Sequence, residues 1–597
     1  MPEFHYISRS AAPALRMHTI RTRNILEIDE ILRTFLRWCD KPTLACLART
    51  AKFFSDPALD ILWENLESFA HLLKIFPEGL ITWAPVTPNG PIKATVNHLI
   101  VPRDWKRVSL YAQRVRTWGP EDLSYVEEPL VDHIAFGRNP GYILPRLTHM
   151  EVTASSVSGV HLQTLMLCPT LESVSIWNPD PNTWAARSMH TFFRTLADRA
   201  PKLSKFIVHW GNTGGAVTEH FVEGLSDVFS QELVDLKSVN LWTPKCLDAK
   251  GFSRLAQLPN LTTLHLNLLG SIRTLVSQIE DNSTAFISLQ NLFLAGETEE
   301  FHKVVKCFGN NAPSMVSLGF SVHAYPQSQE LQHLFEIVAS KFCSLRLLQF
   351  NVPKQEISVD YANRLYITTP ELYYHDMSVL QPLLTMRNLA AVHLEIGVPL
   401  YLTDMDLFAL GAAWPAIEVL NLCSDPYCER ARAVRPPAAT IIGLLAIAEA
   451  CPSLQHLGLF LDCSTGITES MIASAPVASH ALINLDVGRS RVLEPPLVAA
   501  LLSGVFPNLK VFQWAGMDAS EGLLSSDGGA GGLSSGLQEG YAPGWRQVFD
   551  LLPVFRAVRA SERRERGLVD SSADTGALSC SIAIAGVEDG RTSMIVD

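Results

Sequence analysis

One apolar pattern recurs along most of the chain. A large apolar residue stands at a first position, again three residues on and again five residues on. It begins as Leu147-Met150-Val152, Leu171-Val174-Ile176 and Leu203-Phe206-Val208. It continues as Leu236-Val239-Leu241, Leu261-Leu264-Leu266, Leu289-Leu292-Leu294, Met315-Leu318-Phe320 and Leu345-Leu348-Phe350. The last copies are Leu389-Val392-Leu394, Ile417-Leu420-Leu422, Leu454-Leu457-Leu459, Leu482-Leu485-Val487 and Leu509-Phe512-Trp514. Its second and third positions are two apart, the period of a strand with one buried face. Proline stands two residues before eight of the copies (Pro145, Pro169, Pro201, Pro259, Pro313, Pro415, Pro452 and Pro507), where it ends a helix and starts an extended segment. Helical periodicity fills the intervals, as in Met189 to Arg199, Glu219 to Glu232, Phe301 to Asn310, Glu330 to Lys341 and Thr440 to Ala450. The pattern therefore predicts thirteen strand-and-helix units. The wide intervals 346–388 and 423–453 predict insertions, with Cys423 to Pro437 as an exposed loop.

A second pattern precedes the repeats. From Ile28 to Leu66 the spacing predicts three short helices. Ile28, Ile31, Leu32, Phe35 and Leu36 form the stripe of the first, and Leu44, Leu47 and Ala48 continue it after Asp40 and Pro42. Asp56-Pro57 reads as the start of the third, with Leu59, Leu62 and Trp63 along it. Some 40 residues bury too little surface to be strongly stable alone, so this many apolar side chains implies a partner.

These residues resemble an F-box, of the kind found in large fungal F-box families. The resemblance rests on Ile28-Asp29-Glu30-Ile31-Leu32, on Pro42-Thr43-Leu44 through Leu47-Ala48-Arg49 to Lys52-Phe53-Phe54, and on Asp56-Pro57-Ala58-Leu59 to Leu62-Trp63. Asp29 stands where the family has proline; an acidic residue also suits a helix's first turn. The resemblance implies docking onto the Skp-type adaptor of a cullin-RING ubiquitin ligase. The expected adaptor-binding residues are Ile28, Ile31, Leu32, Phe35, Leu44, Leu47, Phe53, Phe54 and Trp63; some of these must instead hold the three helices together.

The repeats resemble leucine-rich repeats, in degenerate form. That family's asparagine, eight residues after the first leucine, is replaced by Ser155, Pro179, Gly211 and Pro244 in the first four copies. The expected fold is α/β: an N-terminal three-helix F-box followed by an irregular leucine-rich-repeat solenoid, parallel strands on one side and helices on the other. Side chains alternating with the leucines point the opposite way. Among them Trp177, Trp242, His265, Phe293 and Phe460 are the expected substrate-binding residues, because aromatics amid polar groups serve as interface anchors. Histidines in the same row, His265 and His456 included, raise the prospect of pH-sensitive binding.

Expected boundaries are a leader at 1–24, the F-box at 25–66, and a linker with the solenoid's N-terminal cap at 67–140. Within the last, 67–76 reads as helix, Leu80, Ile81 and Trp83 as strand, and 106–120 as a strand-turn segment. The solenoid spans 141–517, followed by a Gly/Ser-rich linker at 518–544, a capping helix at 545–561 with Val548, Leu551, Leu552 and Phe555 on one face, and a disordered tail at 562–597.

Composition narrows the functional classes. Hydrophobic residues make up 47% and charged residues 18% of the 597, which a globular chain carries and a disordered one does not. The net charge of −12 argues against nucleic acid as the main partner. The eleven cysteines are scattered, without metal-site spacing, and fit reduced thiols in the cytoplasm or nucleus. The apolar run Ala438 to Ala448 is too short to span a membrane. Gly532-Leu533-Ser534-Ser535-Gly536 matches a hydrolase motif but sits in Gly/Ser-rich filler, where its strand-turn-helix context is missing. No catalytic, cofactor or metal constellation is expected, and the chain is not expected to be an enzyme. The F-box and leucine-rich-repeat resemblances together imply a substrate-recognition subunit of an SCF-type (Skp-cullin-F-box) ubiquitin ligase, with repeats that bind a target protein. The alternative is a ubiquitin-independent interaction scaffold whose first helices only cap the repeats.

Overall fold

A computed structural model describes residues 28–565 apart from 86–90, 139–140, 154–155, 178–185, 210–218, 230–232, 270–284, 309–313, 354–368, 429–430, 433–434, 465–466, 475–480 and 516–541. The expected leader, nearly all of the Gly/Ser-rich stretch with its hydrolase-like motif, and most of the tail lie outside the described residues. The chain packs as two compact units. One runs to His323 and includes Ser340–Ser344; the other holds Ala324–Ala339 and continues from Leu345.

The first unit begins with three helices, α1 (Asp29–Arg37), α2 (Lys41–Thr50) and α3 (Lys52–Glu64). Asp29 and Glu30 in the first turn of α1 and Arg37 in its last complement the helix dipole. Asp40 caps α2, its Oδ1 accepting from the Thr43 N–H at 3.0 Å, and Pro42 sits in the first turn where its missing N–H is not needed. Leu32, Leu36, Leu44 and Ala58 form a core closed by Leu47, Ala48, Phe54, Ile61 and Leu62. One expectation needs correction: α3 does not start at Asp56-Pro57. The Ala51 carbonyl accepts from Phe54 and Ser55, so a turn forms one cycle earlier and Pro57 lies inside the helix, buried.

Helix α3 runs without a loop into the first strand of a parallel sheet, β1 (Asn65–Leu66). A hairpin, β2 (Ile81–Pro85) and β3 (Ile92–Val96), stands apart from the sheet. The sheet continues with β4 (Thr117–Trp118), β5 (His149–Thr153), β6 (Ser173–Trp177), β7 (Lys205–His209), β8 (Ser238–Leu241), β9 (Thr263–Asn267), β10 (Asn291–Gly296) and β11 (Ser317–Val322). The register aligns the middle position of every repeat: Leu66, Trp118, Met150, Val174, Phe206, Val239, Leu264, Leu292 and Leu318 pair across in sequence. All nine are buried. Helices cover this face: Phe193 of Ala186–Arg199 packs on Phe206 with ring centroids 6.4 Å apart, and Phe301 of Thr298–Lys306 on Phe320 at 5.0 Å.

Strands β1 and β4 are repeats the sequence pattern hides, because their third apolar position is occupied by Ser68 and Pro120. The expected strand-turn segment at 106–120 is also corrected. Trp105–Ala112 is a helix that buries Trp105, Val108 and Ala112, a helical spacing, before the chain enters β4. Of the expected helix at 67–76, only Ala70–Leu73 is helical.

The second unit carries β12 (Leu347–Asn351), β13 (Ala391–Glu395), β14 (Val419–Leu422), β15 (His456–Leu459), β17 (Asn484–Asp486) and β19 (Val511–Gln513), with a short side pair β16 (Asp462–Cys463) and β18 (Arg491–Val492). Here Leu348, Val392, Leu420, Leu457, Leu485 and Phe512 form the aligned buried row. Neighbouring helices hold each other: one Asp404 carboxylate, on Asp404–Ala413, accepts from Thr440 N (2.7 Å), Thr440 Oγ1 (2.8 Å) and Gly443 N (3.0 Å) at the start of Ile441–Ala450. The helix Ala542–Glu565 closes the unit, packing on Pro495–Val505. It buries Trp545, Val548 and Leu552, and Trp545 Nε1 donates to the Ser490 carbonyl at 2.7 Å.

The Cys423–Pro437 loop, expected to be exposed, is largely packed in. Cys423, Ser424, Tyr427, Cys428 and Ala431 are buried. Cys428 N donates to the Gly397 carbonyl at 3.0 Å, and Ser424 Oγ to Asp486 Oδ2 at 2.6 Å. Gly488 is required beneath this segment. Its φ is +44°, and a Cβ there would meet the Ser424 carbonyl oxygen at 1.8 Å.

Candidate protein-binding surfaces

Two surfaces follow from this architecture. The first is the outer face of α1. Ile28, Ile31, Phe35 and Trp38 recur at spacings of three and four, so they share one stripe. They are 41%, 42%, 51% and 88% exposed, and Phe53 of α3 is 44% exposed. The nine expected adaptor-binding residues therefore separate. Ile28, Ile31, Phe35 and Phe53 face solvent. Leu32 and Leu44 do not: both are buried in the three-helix core, where the helices' own packing consumes them. Leu47 and Phe54 are half-buried at its edge. Trp63 is half-buried, its ring 4.9 Å from that of Tyr111 on the helix Trp105–Ala112. Trp38 was missed by the sequence reading; its place one turn past Phe35 was the available signal.

Ion pairs brace this head. Arg33 Nε donates to Asp29 at 2.7 Å and Arg33 Nη1 to Asp60 at 3.1 Å. Arg114 reaches both Asp56, at 2.7 Å, and Asp60. Asp29 steadies Arg33 along α1, and Arg33 makes the link from α1 to α3 through Asp60.

The second surface is the sheet face opposite the helices. In the first unit its side chains are mostly half-buried. Trp177 and His209 on adjacent strands meet edge to face at 4.8 Å. Trp242, His265 and Phe293 form a mutual ring cluster, with centroids 5.5, 5.5 and 5.6 Å apart. Trp177, Trp242 and His265 retain partial exposure. Phe293 does not; at 6% exposed it is buried by this cluster and lies over Gly319, its register partner, where a Cβ would stand 2.4 Å from the ring. Phe460 is likewise buried, at 7%. Strand β15 ends at Leu459, the Leu461 N–H donates to Ser490 Oγ at 2.8 Å, and the alternation fails before Phe460 is reached.

Burial pushes the His265 imidazole pKa down to about 4, and Lys205 adds in the same direction. Burial also lowers that of His456. Both rings stay neutral near pH 7, so the expected pH sensitivity does not reside in them. His265 Nδ1 and Asn240 Oδ1, on paired residues of β9 and β8, are buried without a protein hydrogen-bond partner.

One further cluster joins three helices. Ser188 Oγ lies 3.2 Å from His161 Nε2, His161 Nδ1 lies 2.9 Å from Glu128 Oε1, and Ser158 donates to Glu128 Oε2 at 3.0 Å. The order is that of a hydrolytic relay, but Ser188 is buried. The cluster ties the helices Glu128–Gly137, Val157–Met166 and Ala186–Arg199 side by side. Among the described residues no group of His, Cys, Asp and Glu could hold a metal ion, and no helix is long and apolar enough to cross a membrane.

No family model matches the chain, and no curated protein matches it. Solved structures do. The leucine-rich repeat-containing protein LegL7 from Legionella pneumophila is similar over 51% of this chain and 82% of its own, at 14% identity and a TM-score of 0.27. The Rad7 and Elc1 complex in yeast contains a chain similar over 57% of this one and 92% of its own, also at 14% identity, with a TM-score of 0.19. At such scores neither likeness carries an argument about function. The aligned strands and their covering helices establish the repeat fold directly.

Proposed function

We propose that this chain is the substrate-recognition subunit of an SCF-type ubiquitin ligase. Its α1 face docks a Skp-type adaptor, and through it a cullin, while the outward sheet face holds a target protein. The observation that carries this reading is the exposed stripe of Ile28, Ile31, Phe35 and Trp38, on a head whose own core is already complete without them. An apolar stripe left in water on a small braced helix is what a docking surface requires. The chain itself supplies no chemistry in this reading. It raises the rate of ubiquitin transfer by holding the target's lysines near the charged enzyme, in the cytoplasm or nucleus.

The test is co-purification of the adaptor with the full chain. Ile31→Asp with Phe35→Asp should abolish it while leaving the thermal melt unchanged. Full adaptor binding by that variant, or none by the unaltered chain, rejects the proposal. A second reading has one observation in its favour: α3 continues directly into β1, as a plain cap would. A scaffold of that kind would not bring the adaptor down.

A further inference from the structure

The outward face of the first unit has an unusual charge pattern for an acidic protein. Along β5 to β11 its described side chains include one carboxylate, Glu151, and one Lys or Arg, Lys205. The sequence holds no lysine or arginine between Arg146 and Arg187, or between Lys205 and Lys237. Recognition of a phosphorylated or acidic segment needs clustered cations, Arg above all. This face does not present them among its described residues. It presents rings: Trp177 against His209, then Trp242 against His265 and Phe293.

We infer that this face reads an uncharged, extended segment of its client, bearing two large apolar side chains about three residues apart, and that it does so without phosphorylation. This rests on the reading that the repeats bind the target protein. The spacing follows from the fold. Trp177 and Trp242 occupy the same position of repeats two strands apart, so about 10 Å separates them, which an extended chain covers in about three residues. Each ring pair takes an apolar side chain, and polar neighbours such as Ser238 and Thr263 place no charge opposite the segment.

The probe is an array of short synthetic peptides with aromatic residues at the first and fourth positions, made in uncharged, phosphoserine-containing, acidic and basic versions. The full chain should retain the uncharged set about tenfold or more over the phosphoserine set. Trp242→Ala with His265→Ala should remove that preference. Thr263→Lys, at a half-exposed position, should shift retention towards acidic peptides with no change in the melt. Preference for phosphoserine or acidic peptides, absence of any retention, or retention indifferent to both variants overturns the inference. The Ile31→Asp with Phe35→Asp variant should keep its peptide preference. A chain that selects uncharged peptides yet never binds an adaptor leaves this inference standing and rejects the ligase reading alone.

Discussion

The contact between Gly319 and Phe293 gives a prediction whose sign depends on its background. A glycine inside a strand ordinarily costs about 0.5–1 kcal/mol relative to alanine, because it loses more backbone freedom on folding. Replacing it should therefore stabilise the sheet where there is room. At Gly319 there is none: the added Cβ would stand 2.4 Å from Phe293 Cδ2 and 2.9 Å from Cε2. The ring cannot simply retreat, because Trp242 and His265 sit at 5.5 and 5.6 Å between centroids. Overpacking of this kind costs about 1–3 kcal/mol. Gly319→Ala should thus destabilise the protein by about 1–2 kcal/mol net. With Phe293→Ala already in place the clash is gone, and the same substitution should stabilise by about 0.5–1 kcal/mol. A double-mutant cycle of denaturant midpoints, followed by circular dichroism and tryptophan fluorescence, measures the coupling. The same sign in both backgrounds would refute the argument, and with it the account of Phe293 as a residue held by its strand neighbour.

Two further predictions concern the second unit. Asp404→Ala removes one carboxylate that caps the next helix through three donors, and should cost about 2 kcal/mol in a thermal or chemical melt; a loss below about 0.5 kcal/mol would show that water replaces it freely. His375 is fully buried, and burial pushes its pKa down to about 4 from an ordinary 6.5. Its neutral form is favoured only in the folded state, so its contribution is intact above pH 6.5 and is lost as pH falls from 6.5 towards 4, where the unfolded chain binds the extra proton. The loss amounts to about 3 kcal/mol at its limit. His375→Asn should therefore flatten the fall of the unfolding midpoint over that window, and an unchanged slope would show that the ring is hydrated.

Thirteen strands were legible because each combines three apolar positions with a period that only a strand satisfies. β1 and β4 were not, because Ser68 and Pro120 stand where the third apolar residue belongs; their pairing depends on neighbours distant in sequence. The head was legible as three helices but not as a surface. Leu32 and Phe35 are both apolar and three residues apart, and only the packing of α3 decides which one is covered. Phe293 and Phe460 show the limit of alternation in two ways. One points outward as expected but is covered by the rings of Trp242 and His265, the other lies past the end of its strand. The segment from Cys423 looked like a loop because Pro and Asp mark turns. Its burial follows from long-range bonds to Gly397 and Asp486, which no local pattern encodes.

The join between head and sheet bears directly on how a target would be presented. Proximity raises a rate only when the distance and orientation of the bound target are restricted, and a flexible linker between head and repeats would dilute that effect. This chain has no such linker. The last residue of α3, Glu64, accepts from Arg116 N at 2.8 Å, next to β4, and the following two residues are already sheet. Arg114, largely buried, spans Asp56 and Asp60 of α3, and Arg33 carries the same brace to α1. Trp63 packs on Tyr111 alongside. Each surface pair alone contributes little, but here they act across a backbone connection that is itself part of the sheet. In the proposed assembly, the stripe on α1 and the ring clusters on β6 to β10 therefore turn as one piece, so the adaptor's position fixes where a client on that face is held.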